Sequence, residues 1–404
     1  MASKQLNTIS KDEPSKAPSK KQNILYNPTF RAIIFQVLAI LALVGFFYTI
    51  VNNALINLDS RGIATGFGFL NDEAGFGIGL SLIEYDETHT YGRTFIVGLL
   101  NTALVSVIGI VFATILGFII GIARLSHNWL VSRFAAVYIE TFRNIPLLLQ
   151  IFFWYFAVLQ ALPSPRQSMS LGEAVFLNVR GLYFMKPIFE AGSILIAVAL
   201  VAAICASVVL SIWANNKQKL TGQQTPVFSI SLSLIIGLPV LAYFIAGMPI
   251  SLEYPELKGF NFRGGISIIP ELAALVIALS IYTASFIAEI VRSGINAVSH
   301  GQTEAAMALG LPKSRTLKLV VIPQALRIII PPLTSQYLNL TKNSSLAMAI
   351  GYPDLVSIFA GTTLNQTGQA IEIIAMTMAV YLSLSLLTSF LMNIYNQKVA
   401  LVER

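Results

Sequence analysis

Long stretches of this chain carry no charged side chain, and that pattern decides its fold class. Residues 32–58, 94–123, 144–165, 191–216, 220–252, 272–288 and 373–397 contain no Asp, Glu, Lys or Arg, and 328–353 is interrupted only by Lys342. About 20 mostly apolar residues suffice to cross a bilayer as a helix. The runs therefore predict eight spanning helices, at about residues 32–51, 95–123, 136–160, 189–213, 227–247, 269–291, 325–350 and 372–396. They are much longer than the alternating strands of a membrane barrel. Composition agrees. Only 11% of the 404 residues are charged and 55% are apolar, with a mean hydropathy of +0.72, whereas an ordinary soluble domain carries roughly 25% charge. A soluble enzyme, a disordered chain and a disulfide scaffold are excluded, and the fold class is all-α, a polytopic integral membrane helix bundle. The single cysteine, Cys205, excludes an intrachain disulfide or a Cys-rich metal site.

The net charge of +7 reads as a topology signal, so no nucleic-acid partner is needed. With the N-terminus cytoplasmic, seventeen of the 26 Lys and Arg residues fall in inner segments and seven in outer loops; Arg143 and Lys342 lie in spans. This bias places both termini inside. Residues 1–30, rich in Lys and Ser, read as a disordered cytoplasmic tail. The first apolar run is longer than a signal-peptide core and lacks a small-residue cleavage site, so it reads as a retained helix. Residues 31–94 then hold that helix and an outer loop. The loop contains Gly66, Gly68, Gly75, Gly77 and Gly79 and an acidic group of Glu84, Asp86 and Glu87. It is a flexible connection or a docking surface for an outer partner.

The sequence offers no motif for hydrolysing a nucleotide and no grouping of ligands from which a metal site can be argued. There is no Gly-Lys dipeptide and hence no P-loop, no HExxH, and the histidines His89, His127 and His300 lie in different loops. No catalytic residue, cofactor or metal is expected. Energy for any active transport must come from another polypeptide or from an ion gradient.

The most unusual polar segment joins helices six and seven and reads SHGQTEAAMALGLPKSRTLKLVVIPQA from Ser299. Ser299 and Gln302 have the spacing of a capping box. Thr303 to Leu309 forms a short helix with Ala305, Ala306 and Ala308, and Gly310 ends it in the left-handed conformation. Pro312 suits the first turn of a second short helix, which Pro323 ends. Small residues would let another protein approach this backbone closely.

Glu304-Ala305-Ala306, Gly310 and Ile322-Pro323 resemble the EAA loop of bacterial ABC-importer permeases. Four further segments are similar to polar amino acid permeases: GLLNTALVSV from Gly98, YIETFRNIPLLLQIFFWYF from Tyr138, FIAEIVRSGI from Phe286 and NLTKNSSLA from Asn339. The resemblance implies a type I permease core of five helices in residues 95–163 and 269–404, with the first helix and an inserted segment, 164–268, supplying three more. That layout, with FLNVRGLYF from Phe176, is similar to permeases of general L-amino acid (Aap/Bzt-type) systems. It implies a non-catalytic permease subunit importing L-amino acids across the bacterial inner membrane. Its implied partners are an ATP-binding cassette ATPase, a second permease subunit related to this one, and a periplasmic solute-binding protein, in contact with membrane lipid. Glu304, Ala305, Ala306, Gly310, Pro312 and Pro323 would couple to the ATPase. The rival is an ion-gradient-driven secondary amino acid transporter, which needs internal repeats and mid-membrane coupling carboxylates; neither is visible.

Charges inside the bilayer are costly and need a reason. Glu140 and Arg143, and Glu289 and Arg292, are three apart, so each pair shares a helix face. They are snorkelling ion pairs at the inner interface or an inner gate that re-pairs as the ATPase closes. Lys342 is a lone cation 14 residues beyond Ile328, or about 21 Å along a helix, which is past mid-membrane. Pro331 and Pro332 should kink this helix, and Asn343, Ser344 and Ser345 extend the polar stretch. Lys342 meets a substrate carboxylate, with Asn343, Ser344 and Ser345 orienting it, or pairs with a neighbouring acid. Asn101, Thr102, Tyr282, Thr283 and Ser285 are weaker candidates for the path; such residues also hydrogen-bond helix to helix.

Overall fold

The computed structural model describes residues 28–60, 62 and 65–399. Most of the expected N-terminal tail lies outside these residues; its last three positions already belong to helix α1, Pro28–Ser60, which opens on a proline suited to a first helical turn. α1 and the remainder from Gly68 onward are two separate compact units.

In the larger unit, α2 (Tyr91–Arg124) is capped by Thr90, whose hydroxyl accepts the Arg93 N–H. Asn128 caps α3 (Trp129–Asn144) by accepting from Leu130 and Val131. The expected single helix over 136–160 is broken. α3 stops at Asn144, and α4 (Leu147–Phe152), continued by a wide turn over Phe153–Leu159, leaves at 106°. Pro146 is the cause, since it forces Ile145 into an extended conformation, φ −93° and ψ 128°.

The inserted segment is partly β, which the hydropathy pattern does not reveal. β1 (Met169–Leu171), β2 (Val175–Asn178), β3 (Gly181–Phe184) and β8 (Ile266–Ile268) form an antiparallel sheet in that order. β4 (Lys186–Phe189) pairs with β5 (Ile250–Glu253), and β6 (Glu256–Lys258) with β7 (Asn261–Arg263). Strand β4 ends on Phe189, the first residue expected in a helix, and a turn follows it, so α5 begins later and runs over Ile194–Thr221. α6 (Val227–Ile245) packs on α5, and only 6% of each apolar window is buried, so the rest of the chain leaves this hairpin's surface uncovered.

α7 (Pro270–Asn296) is the hub, with 61% of its apolar window buried. It lies so close to α2 that a Cβ on Gly117 would stand 2.6 Å from Ile287 Cβ, and one on Gly121 2.7 Å from the Ala288 carbonyl. Such glycines let helices pack by backbone contact where no hydrophobic effect drives them together. Val105, Ala113, Leu275, Leu279, Ile287 and Ile329 fill the core around α2, α7 and α10. After α7 come α8 (His300–Ala308), α9 (Lys313–Thr316) and α10 (Ile322–Asn343). α10 runs through Pro331 and Pro332 as one element and tightens into a 3-10 turn over Ser344–Ile350. Gly351, at φ +76°, ends that turn. A wide turn, Val356–Thr363, and α11 (Leu364–Thr367) lead into α12 (Ala370–Val399).

The acidic loop before α2 is pinned rather than loose. Tyr85 Oη donates to the Phe76 carbonyl at 2.6 Å, Arg93 donates twice to the Glu84 carbonyl, and Phe69 is buried against Phe359. Hydrogen bonds from the Thr88 side chain and N–H hold the Asp86 carboxyl below its usual range.

Candidate translocation path and coupling loop

The polar loop after α7 builds a helix–Gly–helix element, with local differences from expectation. Ser299 precedes α8, but its side chain makes no cap hydrogen bond. The Gln302 N–H reaches only the Ser299 carbonyl, while its side chain accepts from Gln324 at 3.4 Å. The capping box is therefore not formed. Gly310 takes φ +79° and donates its N–H to the Met307 carbonyl, and Leu311 donates to Ala306. Pro312 sits before α9, and its carbonyl accepts from Arg315 and Thr316. Pro323 does not end the second helix. α9 continues through a wide turn, Leu317–Val321, into α10. The widened turn just before Pro323 is where the helix absorbs the N–H that proline lacks. Ala306 is buried within the chain, while Glu304, Ala305, Met307 and Ala308 of α8 and its cap residue Leu309 are exposed.

The two acid–base pairs behave differently. Arg292 grips Glu289 with two hydrogen bonds, 2.6 and 2.9 Å. Glu140 and Arg143 do not pair: Arg143 lies over the Phe286 ring, 5.2 Å from its centre, and Glu140 has no ion pair among the described residues. A guanidinium gains by stacking on an aromatic face, and α3 ends one residue beyond Arg143. Arg143 is thereby brought beside α7, three residues before Glu289 along that helix.

Lys342 is exposed at the end of α10 and lines a groove of about 560 Å³ with Ser345, Val356, Thr377, Met378, Tyr381 and Ser385. It makes no ion pair among the described residues. The expected polar companions divide. Ser345 lines the groove, Ser344 is fully buried and donates to the Thr341 carbonyl, and Asn343 is half-buried.

Behind the groove lies a polar knot that hydropathy analysis does not single out. Asp354 is fully buried and accepts from the Ser357 N–H at 2.8 Å and the Tyr381 hydroxyl at 3.3 Å. Tyr352 Oη donates to the Asn101 carbonyl, and Thr102 Oγ1 accepts the Leu355 N–H, both at 3.0 Å. Asn101 donates to the Leu80 and Pro353 carbonyls. Asn101 and Thr102 are thus locks between α2 and the 351–356 loop, not path-lining groups. Thr283 and Ser285 are likewise buried within the chain. The Pro353-Asp354 dipeptide, a turn signal next to the last polar stretch, marks the knot in the sequence.

A polytopic apolar bundle, an ordered helix–Gly–helix loop and a largely apolar groove bearing one exposed lysine at the side of the bundle fit the membrane subunit of a transporter. A family model described as "Binding-protein-dependent transport system inner membrane component" matches residues 207–401. The putative amino-acid ABC transporter permease protein YhdX of Escherichia coli is 60% identical over 94% of this chain and 96% of its own length. The general L-amino acid transport system permease protein AapQ of Rhizobium johnstonii is 55% identical over 95% and 96%. The glutamate/glutamine/aspartate/asparagine transport system permease protein BztB of Rhodobacter capsulatus is 43% identical over 97% and 99%. The chain belongs to this family of ABC-importer permeases and is a multi-pass inner-membrane subunit.

Proposed function

We propose that this chain forms half of the path by which an ATP-driven importer carries L-amino acids into the cell. A cytoplasmic ATPase subunit supplies the energy, a periplasmic solute-binding protein delivers the substrate, and a second, related permease closes the path. Both termini are cytoplasmic, which puts α8 inside and the β module outside. Lys342, with Ser345 beside it, faces the partner permease across the path and meets the substrate carboxylate. The Glu289–Arg292 pair, with Arg143 nearby, forms the inner gate. Its state changes when the ATPase subunits close and move α8.

The observation that carries this reading is the coupling element. A short helix with an open face of Glu304, Ala305 and Ala308 is turned by Gly310 and fused through α9 to a membrane span. A push on α8 therefore passes through the Gly310 turn to α9, and from there by continuous helix to α10 and the Lys342 groove. Gly310→Val tests it. No atom stands within 4 Å of the new Cβ, so the cost is not a clash but the left-handed backbone, about 1–2 kcal/mol. Insertion is expected to stay normal, while uptake and retention of the ATPase on purification both fall. Unchanged uptake at wild-type expression would show that α8 does not couple.

A further inference from the structure

The β module has no role in that reading, yet it walls a polar cavity of about 560 Å³ against the N-terminal end of α7. Arg180, Glu271, Gln160, Tyr183, Asn261 and Ser267 line it. Arg180 stands in the two-residue turn between β2 and β3. Its N–H donates to Asn178 Oδ1 at 2.8 Å, and the fully buried Asn178 in turn donates to Ser168 at 3.0 Å, so the turn is fixed. The floor is fixed as well, since Tyr183 donates to Asn261 Oδ1 at 2.9 Å. Across the cavity Glu271, in the first turn of α7, accepts the Tyr155 hydroxyl at 2.8 Å. Neither Arg180 nor Glu271 is in an ion pair among the described residues, so they do not neutralise each other.

We propose that this cavity is a receiving site for the zwitterionic head of a free amino acid, outside the path proper. Arg180 takes the α-carboxylate and Glu271 the α-ammonium, while the side chain points to solvent. A guanidinium recognises a carboxylate by a fork of two N–H donors, and the fixed turn sets where Arg180 projects from. A site with one charge would suit a simple ion; unpaired charges of both signs in one cavity suit a ligand that carries both. The proposal rests on the amino acid reading above, and it makes the inserted module the place where delivered substrate waits before entry.

The test uses the complex purified through this chain and held in lipid nanodiscs, without binding protein. Ser267→Cys in a Cys205→Ser background places one thiol on the rim, and its labelling by a charged maleimide is timed. A site that must release its ligand binds weakly, with Kd about 1 mM, so L-glutamine at about 10 mM should slow labelling about tenfold. N-acetyl-L-glutamine, which lacks the ammonium, and the α-amide of glutamine, which lacks the carboxylate, should not. Arg180→Gln and Glu271→Gln should each remove the protection, Arg180→Lys should keep part of it, and Lys342→Met should leave it intact. Equal protection by N-acetyl-L-glutamine overturns the proposal. So does equal protection by the α-amide of glutamine, which would show that the carboxylate is not held. A complex that imports amino acids yet shows no protection by L-glutamine refutes the receiving site and leaves the transport function standing; absence of amino acid uptake refutes that function separately.

Discussion

Lys342→Met is expected to lower uptake of acidic, neutral and basic amino acids by one common factor, on the order of 10- to 100-fold. That is the loss expected when a charge-assisted hydrogen bond of about 1.5–3 kcal/mol is removed from the path. Lys342 is exposed on a groove, has no ion pair among the described residues, and has Ser345 and Tyr381 beside it. Methionine keeps most of the stem and removes the charge. A path serving varied side chains cannot grip them tightly, so the shared carboxylate is the group to hold. Lys342→Arg should be only partly tolerated, because the guanidinium is wider and donates in a fixed fork. The measurement is uptake of three amino acids of different charge at matched expression, together with the affinity of the separate binding protein, which should not change. Loss of assembly instead of turnover would make Lys342 a structural partner of an acid on the neighbouring subunit. Loss of acidic substrates alone would mean that the lysine reads side chains.

Gly121→Leu is expected to destroy the fold rather than the chemistry. A single Cβ there already stands 2.7 Å from the Ala288 carbonyl and from Val291 Cβ. Backbone on α7 cannot yield without parting from α2, and these two helices form the centre of the core. Overpacking in a rigid interior costs about 1–3 kcal/mol or more. The detergent-solubilised protein should melt well below wild type and lose its partner subunits. Gly237→Leu is the control. Gly237 lies in α6 with no atom within 4 Å of an added Cβ, so its melting should not change. Equal melting of Gly121→Leu and wild type would mean that α2 and α7 do not pack as described.

Much of the architecture is legible in the charge-free runs, because a bilayer imposes length and hydropathy on each span. What escapes is local chemistry. Pro146 announces the break between α3 and α4, but hydropathy runs straight through it. The β2–β3 hairpin is written in FLNVRGLYF, where apolar residues flank Asn178, Arg180 and Gly181; eight short strands are lost when apolar stretches are read only as helix. The i,i+3 rule describes Glu289 and Arg292 and misses Glu140 and Arg143, because the rule does not know that Phe286 offers Arg143 a ring. Pro323 reads as a stop only if the preceding turn is an ordinary α-turn, and it is not. Asp354 and Tyr381 were invisible as partners because they are 27 residues apart and meet only when α12 folds back.

The proposed energy source is tested by uptake into proteoliposomes containing the complex purified through this chain, with the binding protein and a radiolabelled amino acid outside. If the chain is the permease half of an ATP-driven importer, accumulation requires ATP with magnesium inside. It should stop when the ATPase subunit is stripped away, and persist when proton and sodium gradients are collapsed by ionophores. Accumulation that ignores ATP and vanishes with the ion gradient would contradict this account and make the protein a secondary transporter.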